Sequence, residues 1–131
     1  MLIEQLSVFI ENRRGRLADI MAQIAEKNIN IIALSVADTS DFGIVRFIAD
    51  NPDAAISLLT QSGLTVSLAT VISVSVPDVP GGLAGALKLL AGNDINVDYM
   101  YGYAVKDSSE ANMVMRVDDP KGADELLKSY K

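Results

Sequence analysis

The chain contains no cysteine, no histidine and no tryptophan. Without cysteine or histidine there is no thiolate nucleophile, no imidazole general base and no thiolate or imidazole metal ligand, so the commonest parts of catalytic centres are missing. Carboxylates, lysines and hydroxyls remain, and they form no paired-carboxylate motif or glycine-rich nucleotide loop. The lack of cysteine also excludes a disulfide-stapled secreted domain. Long apolar runs are absent as well. No stretch reaches the roughly 18 residues of a membrane-spanning helix, and the opening MLIEQLSVFIENRR carries Glu4 and Glu11 where a signal peptide needs an apolar core. Positive charge is scarce: 11 Lys and Arg against 17 Asp and Glu leave a formal charge of −6, the wrong sign for gripping a phosphate backbone. These absences predict a cytoplasmic, non-enzymatic protein with no metal and no cofactor, which binds neither nucleic acid nor membrane and meets a small molecule or another protein.

What the chain does contain, it contains twice. Its 131 residues are 50% hydrophobic and 21% charged, an ordinary globular composition. GRLADIMAQIAEKNINIIAL at 15–34 matches GGLAGALKLLAGNDINVDYM at 81–100. Gly15, Leu17, Ala18, Ala25, Ile29 and Asn30 recur as Gly81, Leu83, Ala84, Ala91, Ile95 and Asn96, all at one constant offset. Asn51-Pro52 followed by Ala55, Leu58 and Leu59 recurs as Asp119-Pro120 followed by Ala123, Leu126 and Leu127, at an offset two positions longer. A two-residue insertion in a hairpin accounts for the change. The period is too long for a solenoid repeat and suits one small domain, so the chain divides into domains 1–69 and 70–131.

Periodicity orders the elements within each copy. Leu6, Val8 and Ile10 alternate as in a half-buried strand, and Leu17, Ile20, Met21 and Ile24 follow helical spacing, as do Leu83, Ala86, Leu87 and Leu90. Asn28 and Asn93-Asp94 suit a helix end, because Asn and Asp tolerate the left-handed conformation. Two strands follow, and Asn51-Pro52 and Asp119-Pro120 then start a second helix, with a capping side chain before a proline at the first turn. The order strand, helix, strand, strand, helix, strand predicts an α+β chain of two ferredoxin-like βαββαβ units, each with an antiparallel sheet and both helices on one face. Leu64, Val66, Leu68, Ile72, Val74 and Val76 carry strand alternation straight across the boundary. After Leu126, Leu127 and Tyr130 no residues remain for the second copy's final strand, which predicts a missing strand or an open edge filled by another chain.

At the strand-to-helix turns, Glu11-Asn12-Arg13-Arg14-Gly15-Arg16-Leu17 with Asn28-Ile29-Asn30-Ile31 strongly resembles the ACT domain, a ferredoxin-like ligand-sensing module of amino-acid-controlled enzymes. Pro77-Asp78-Val79-Pro80-Gly81-Gly82-Leu83 with Asp94-Ile95-Asn96-Val97 is similar to it again, and closer to the family's acidic-or-Asn, Pro-Gly, Leu pattern. The resemblance implies a stand-alone amino-acid-sensing regulatory protein that binds a free L-amino acid between ACT units and signals to a metabolic enzyme or regulator. It places ligand binding on Asn12, Arg14, Gly15, Arg16 and Leu17 with Asn30 and Ile31, and on Asp78, Val79, Pro80, Gly81, Gly82 and Leu83 with Asn96 and Val97. Arg14 stands where the family has proline. A zwitterion suits such residues: free N–H groups at a glycine-opened helix start take the carboxylate, and Asp and Asn oxygens take the ammonium.

Other features complete the reading. Arg13, Arg14 and Arg16 crowd one loop and could grip a carboxylate or phosphate, or serve only as a solvated tip. Tyr99, Tyr101 and Tyr103 alternate along one strand face where the first copy has Ala33, Ser35 and Ala37, a packing feature or a lining for a ligand side chain. Two alternatives share the topology: a small acylphosphatase-like hydrolase, and an RNA-binding module, which the charge disfavours. Asp78 and Asp98 replace Asn12 and Ile32, so the second copy's pocket leans toward a basic or imidazole side chain. A homodimer is expected, because family sites form between units.

Overall fold

A computed structural model of the chain describes residues 1–38, 40–103, 105 and 108–130. Its elements are β1 (Leu2–Glu11), α1 (Arg16–Glu26), β2 (Ile31–Asp38), β3 (Phe42–Ala49), α2 (Pro52–Gln61), β4 (Thr65–Pro77), α3 (Gly82–Gly92), β5 (Val97–Tyr103), β6 (Glu110–Val117) and α4 (Pro120–Leu127). They form two compact units, Glu4–Ala69 and Met1–Ile3 with Thr70–Lys131. In the first unit the strand order is β2-β3-β1-β4, with β1 and β2 both antiparallel to β3. In the second, β4 and β5 both run antiparallel to β6.

Each core reproduces the spacing of the repeat. Leu6, Val8 and Ile10 of β1 share one buried cluster with Val45 and Phe47 of β3, Ile20 and Ile24 of α1, and Ala55 and Leu59 of α2. The second cluster holds Ile72, Val76, Ala86 and Leu90, which at the first repeat offset are the counterparts of Leu6, Ile10, Ile20 and Ile24. It also holds Met115, Val117, Ala123 and Leu127, which at the longer offset are the counterparts of Phe47, Ala49, Ala55 and Leu59. Both helices of a unit bury into the same strand face, because alternate strand residues point to one side and the apolar stripes of the helices meet only that side. Each fully buried Leu, Ile or Phe contributes about 2 kcal/mol of transfer free energy. The change of offset falls between β5 and β6, whose connection covers 104–109 against 39–41 between β2 and β3.

The helix boundaries follow local chemistry. Asn51 and Asp119 cap α2 and α4, their Oδ1 atoms accepting from the N–H of Ala54 (3.2 Å) and Gly122 (3.1 Å). Asn28 (φ 58°) and Asp94 (φ 61°) take the left-handed conformation after α1 and α3. Among the described residues no helix is long and apolar enough to cross a membrane.

The edge expected to be empty in the second unit is partly taken by the chain's own first residues. Met1 and Ser73 exchange backbone hydrogen bonds, Ser73 N–H to Met1 O at 2.8 Å and the Met1 amine to Ser73 O at 2.9 Å. The Met1 amine also pairs with the carboxylate of Asp124 on α4. Met1–Ile3 thus stands beside β4 where a final strand would stand, and supplies partners to an otherwise bare ladder edge.

Candidate functional site

In both units the first helix starts differently from the second. Gly15 (φ 84°) and Gly81 (φ 86°) precede α1 and α3 in the left-handed conformation, and neither helix has a side-chain cap, whereas α2 and α4 do. The amides of Arg16 and Gly82 donate back to Arg13 O and Val79 O, so the next two first-turn amides, of Leu17 and Ala18 in α1 and of Leu83 and Ala84 in α3, are the ones available to an outside acceptor, with the positive end of the helix dipole behind them. In the second unit, Gly82 N–H donates to Val79 O at 3.0 Å and the Tyr130 hydroxyl donates to Gly82 O at 2.6 Å, holding the turn against α4. Gly82 itself is buried, and a Cβ there would lie 2.0 Å from Pro77 O. Its missing side chain lets strand and helix approach, while Gly81 has nothing within 4 Å of its Cβ position and faces open space. Asp78, Val79 and Pro80 are exposed and Leu83 is half-buried against the core.

The other half of each predicted residue set lies at the far end of the helix. Asn30-Ile31 and Asn96-Val97 follow α1 and α3, each of 11 residues, so about 16 Å of helix separates them from the loops that precede it. Their backbones are anchored alike: the N–H groups of Asn30 and Asn96 donate to Oδ1 of Asp50 and Asp118, both at 3.0 Å. Register shifts at Ile31/Ala33 and Val97/Tyr99 put a bulge at both positions. Asn96 Nδ2 donates to Asp98 Oδ1 at 2.9 Å, which leaves the Asn96 amide oxygen outward as an acceptor. A single unit therefore does not bring its loop and its strand start together, and Asp98 lies at the opposite end of the unit from Asp78.

Asp78 has different neighbours. It lines a cavity of about 310 Å³ with Gly102 and Tyr103 of β5, Val105 and Ser108, and Glu110, Ala111, Asn112 and Met113 of β6. Asp78 N–H donates to Ser109 O at 3.2 Å, tying the loop to this hairpin. Among the described residues, two carboxylate side chains, Asp78 and Glu110, line the cavity with Tyr103 and Asn112, and no lysine or arginine does. Sequence reasoning missed Ser108, Glu110, Asn112 and Met113. The signal was the lengthening of the repeat offset, which extends the β5–β6 connection beside Asp78.

The first loop is built the same way with different side chains. Asn12 N–H donates to Asp41 O at 3.0 Å, as Asp78 does to Ser109. Asn12, Arg14 and Gly15 are exposed, and Leu17 and Ile31 pack partly buried against the core. The arginines do not converge: Arg13 Nε lies 3.2 Å from Glu11 in an exposed pair, and Arg16 Nε is buried without a hydrogen-bond partner. Of the tyrosine stripe, Tyr103 shares a 3.1 Å hydrogen bond with Ser73, and Met100 on the opposite face enters the core.

This arrangement has counterparts. The family model described as an ACT domain pair matches residues 1–131. The chain belongs to that family. A solved Bacteroides thetaiotaomicron protein is similar to this ACT domain pair at 38% identity and a TM-score of 0.91, over 98% of this chain and 88% of that one. The regulatory subunits of aspartate kinase from Thermus thermophilus and Thermus flavus share the fold at 15% and 16% identity, with TM-scores of 0.71 and 0.67. Those matches cover 99% and 97% of this ACT domain pair, and 95% and 93% of the subunits. Among curated proteins none matches.

Proposed function

We propose that this ACT domain pair is a non-catalytic regulatory protein that binds a free L-amino acid and passes its occupancy to a metabolic enzyme or regulator. The observation that carries the reading is the placement of Asp78, in the loop that leads to the uncapped start of α3, on a 310 Å³ cavity. The ligand carboxylate meets the first-turn amides of Leu83 and Ala84, and its ammonium meets Asp78. Because Glu110 adds a second carboxylate to the same cavity, a lysine, arginine or histidine ligand is favoured over an acidic one. The strand start at Asn96-Val97, remote from the loop of its own unit, serves the loop of a second copy, which makes the working form a homodimer in the cytoplasm. The regulatory subunits of aspartate kinase with this fold support a regulatory role.

Thermal denaturation against the common L-amino acids tests the reading. A ligand bound only by the folded state raises its stability by RT ln(1 + [L]/Kd), about 2.7 kcal/mol at one hundred times Kd. We expect one basic amino acid to raise the melting temperature and glutamate to leave it unchanged. A panel with no effect at 10 mM, roughly the upper end of useful metabolite affinity, would refute amino-acid sensing.

A further inference from the structure

Among the described residues, the edge of β4 is covered at Ser73 and open beyond it. Ser73 turns both its N–H and its C=O to Met1, so by antiparallel alternation Ser75 turns its backbone groups to the same side while Val74 and Val76 face β6. There the chain forms a groove of about 550 Å³ between the β4 edge and α4, whose walls include Ser75, Glu110, Asp124, Leu127, Lys128 and Tyr130. Pro77, which has no N–H to offer, sits in this open edge without cost to the β4–β6 ladder. Strand edge on one side, helix on the other, and the apolar Val74, Leu127 and Tyr130 among polar walls are the parts of a peptide groove.

The repeat identifies the occupant. In the first unit the corresponding side of β1 carries the start of β4, where Val66 and Leu64, the residue just before the strand, pack against the core and Thr65 between them is exposed. We propose that the groove beside residues 74–77 takes an extended segment of a partner polypeptide as an added antiparallel strand. That segment carries apolar residues at two alternate positions, directed at Val74, Leu127 and Tyr130, and its intervening residue exchanges hydrogen bonds with Ser75. This groove adjoins the amino-acid cavity, with which it shares Glu110 as a lining residue, but its strand edge and α4 wall belong to it alone.

The probe is a synthetic peptide with the sequence of residues 61–66, blocked at both ends, titrated into the intact protein and followed by backbone amide NMR. Shifts are expected at Ser75, Asp124 and Lys128. Methylating the Thr65 nitrogen of the peptide is expected to weaken binding about tenfold, whereas methylating the neighbouring Val66 nitrogen, which points away from β4, costs much less. In the protein, Ser75→Pro removes the outward N–H and leaves the β6 ladder intact, with about the same loss. Should that variant not fold, the methylated peptides decide alone. No binding at millimolar peptide, equal binding of both methylated peptides, or shifts confined elsewhere would overturn the proposal. A dimer that the peptide dissociates would assign the groove to a second copy and overturn the partner assignment.

Discussion

Replacing Gly82 with alanine sets two local effects against each other. Gly82 opens α3, and alanine there gains up to about 1 kcal/mol from helix propensity and a less flexible unfolded chain. Against this, the new Cβ would stand 2.0 Å from Pro77 O and 3.0 Å from Pro77 C, where ordinary contact begins at 3.4 Å. The obstacle is backbone, so either the first turn of α3 or the end of β4 must move by more than about 1 Å, which costs about 1–3 kcal/mol in a packed site. That movement also loosens the 2.6 Å bond from Tyr130 to Gly82 O and the 3.0 Å bond from Gly82 to Val79 O, each contributing about 1 kcal/mol. The sum is a net loss of about 2 kcal/mol, or a fall in melting temperature of roughly 6–10 °C for a chain of this size. Urea denaturation followed by circular dichroism measures it, with the m-value required to stay constant. Gly92→Ala in the same helix is the control: nothing lies within 4 Å of its Cβ position, so it should stabilise by several tenths of a kcal/mol. A Gly82→Ala protein as stable as the parent would refute the close approach of Pro77.

Three further outcomes are expected. Tyr130→Phe should cost about 1 kcal/mol in urea denaturation through the lost bond to Gly82 O; Gly85→Ala, whose Cβ would meet the Tyr130 hydroxyl at 2.2 Å, should be clearly milder in the Tyr130→Phe background, and simple additivity would show the two sites to be independent. Asn51→Ala and Asp119→Ala should each cost about 1 kcal/mol of thermal stability by removing the caps of α2 and α4, and no loss at either would mean the cap is made by solvent. Asp78→Asn, read by calorimetry, should weaken a basic amino acid about tenfold or more, as expected for a charged partner, while leaving the unliganded melting temperature within about 1 °C; unchanged affinity would remove Asp78 from the site.

The duplication, the order of elements, the capping pairs Asn51-Pro52 and Asp119-Pro120, the left-handed Asn28 and Asp94, and the core residues that recur between the copies were all legible in the sequence. These are local properties: a side chain's direction recurs every 2 or 3.6 residues, and caps act within three or four positions. The roles of Gly81 and Gly82 were not separable there, since one has a positive φ and the other a carbonyl at its back. Only the tertiary structure brought Met1 to Ser73 across 72 positions, because any unpaired strand edge accepts any backbone and periodicity does not say which segment arrives. Only it divided Asp78 from Asp98 along the length of α3 and joined Asp78 instead to Glu110 and Asn112. Such a grouping depends on which ends of the elements meet in space, and that is settled by packing rather than by the residues at each end.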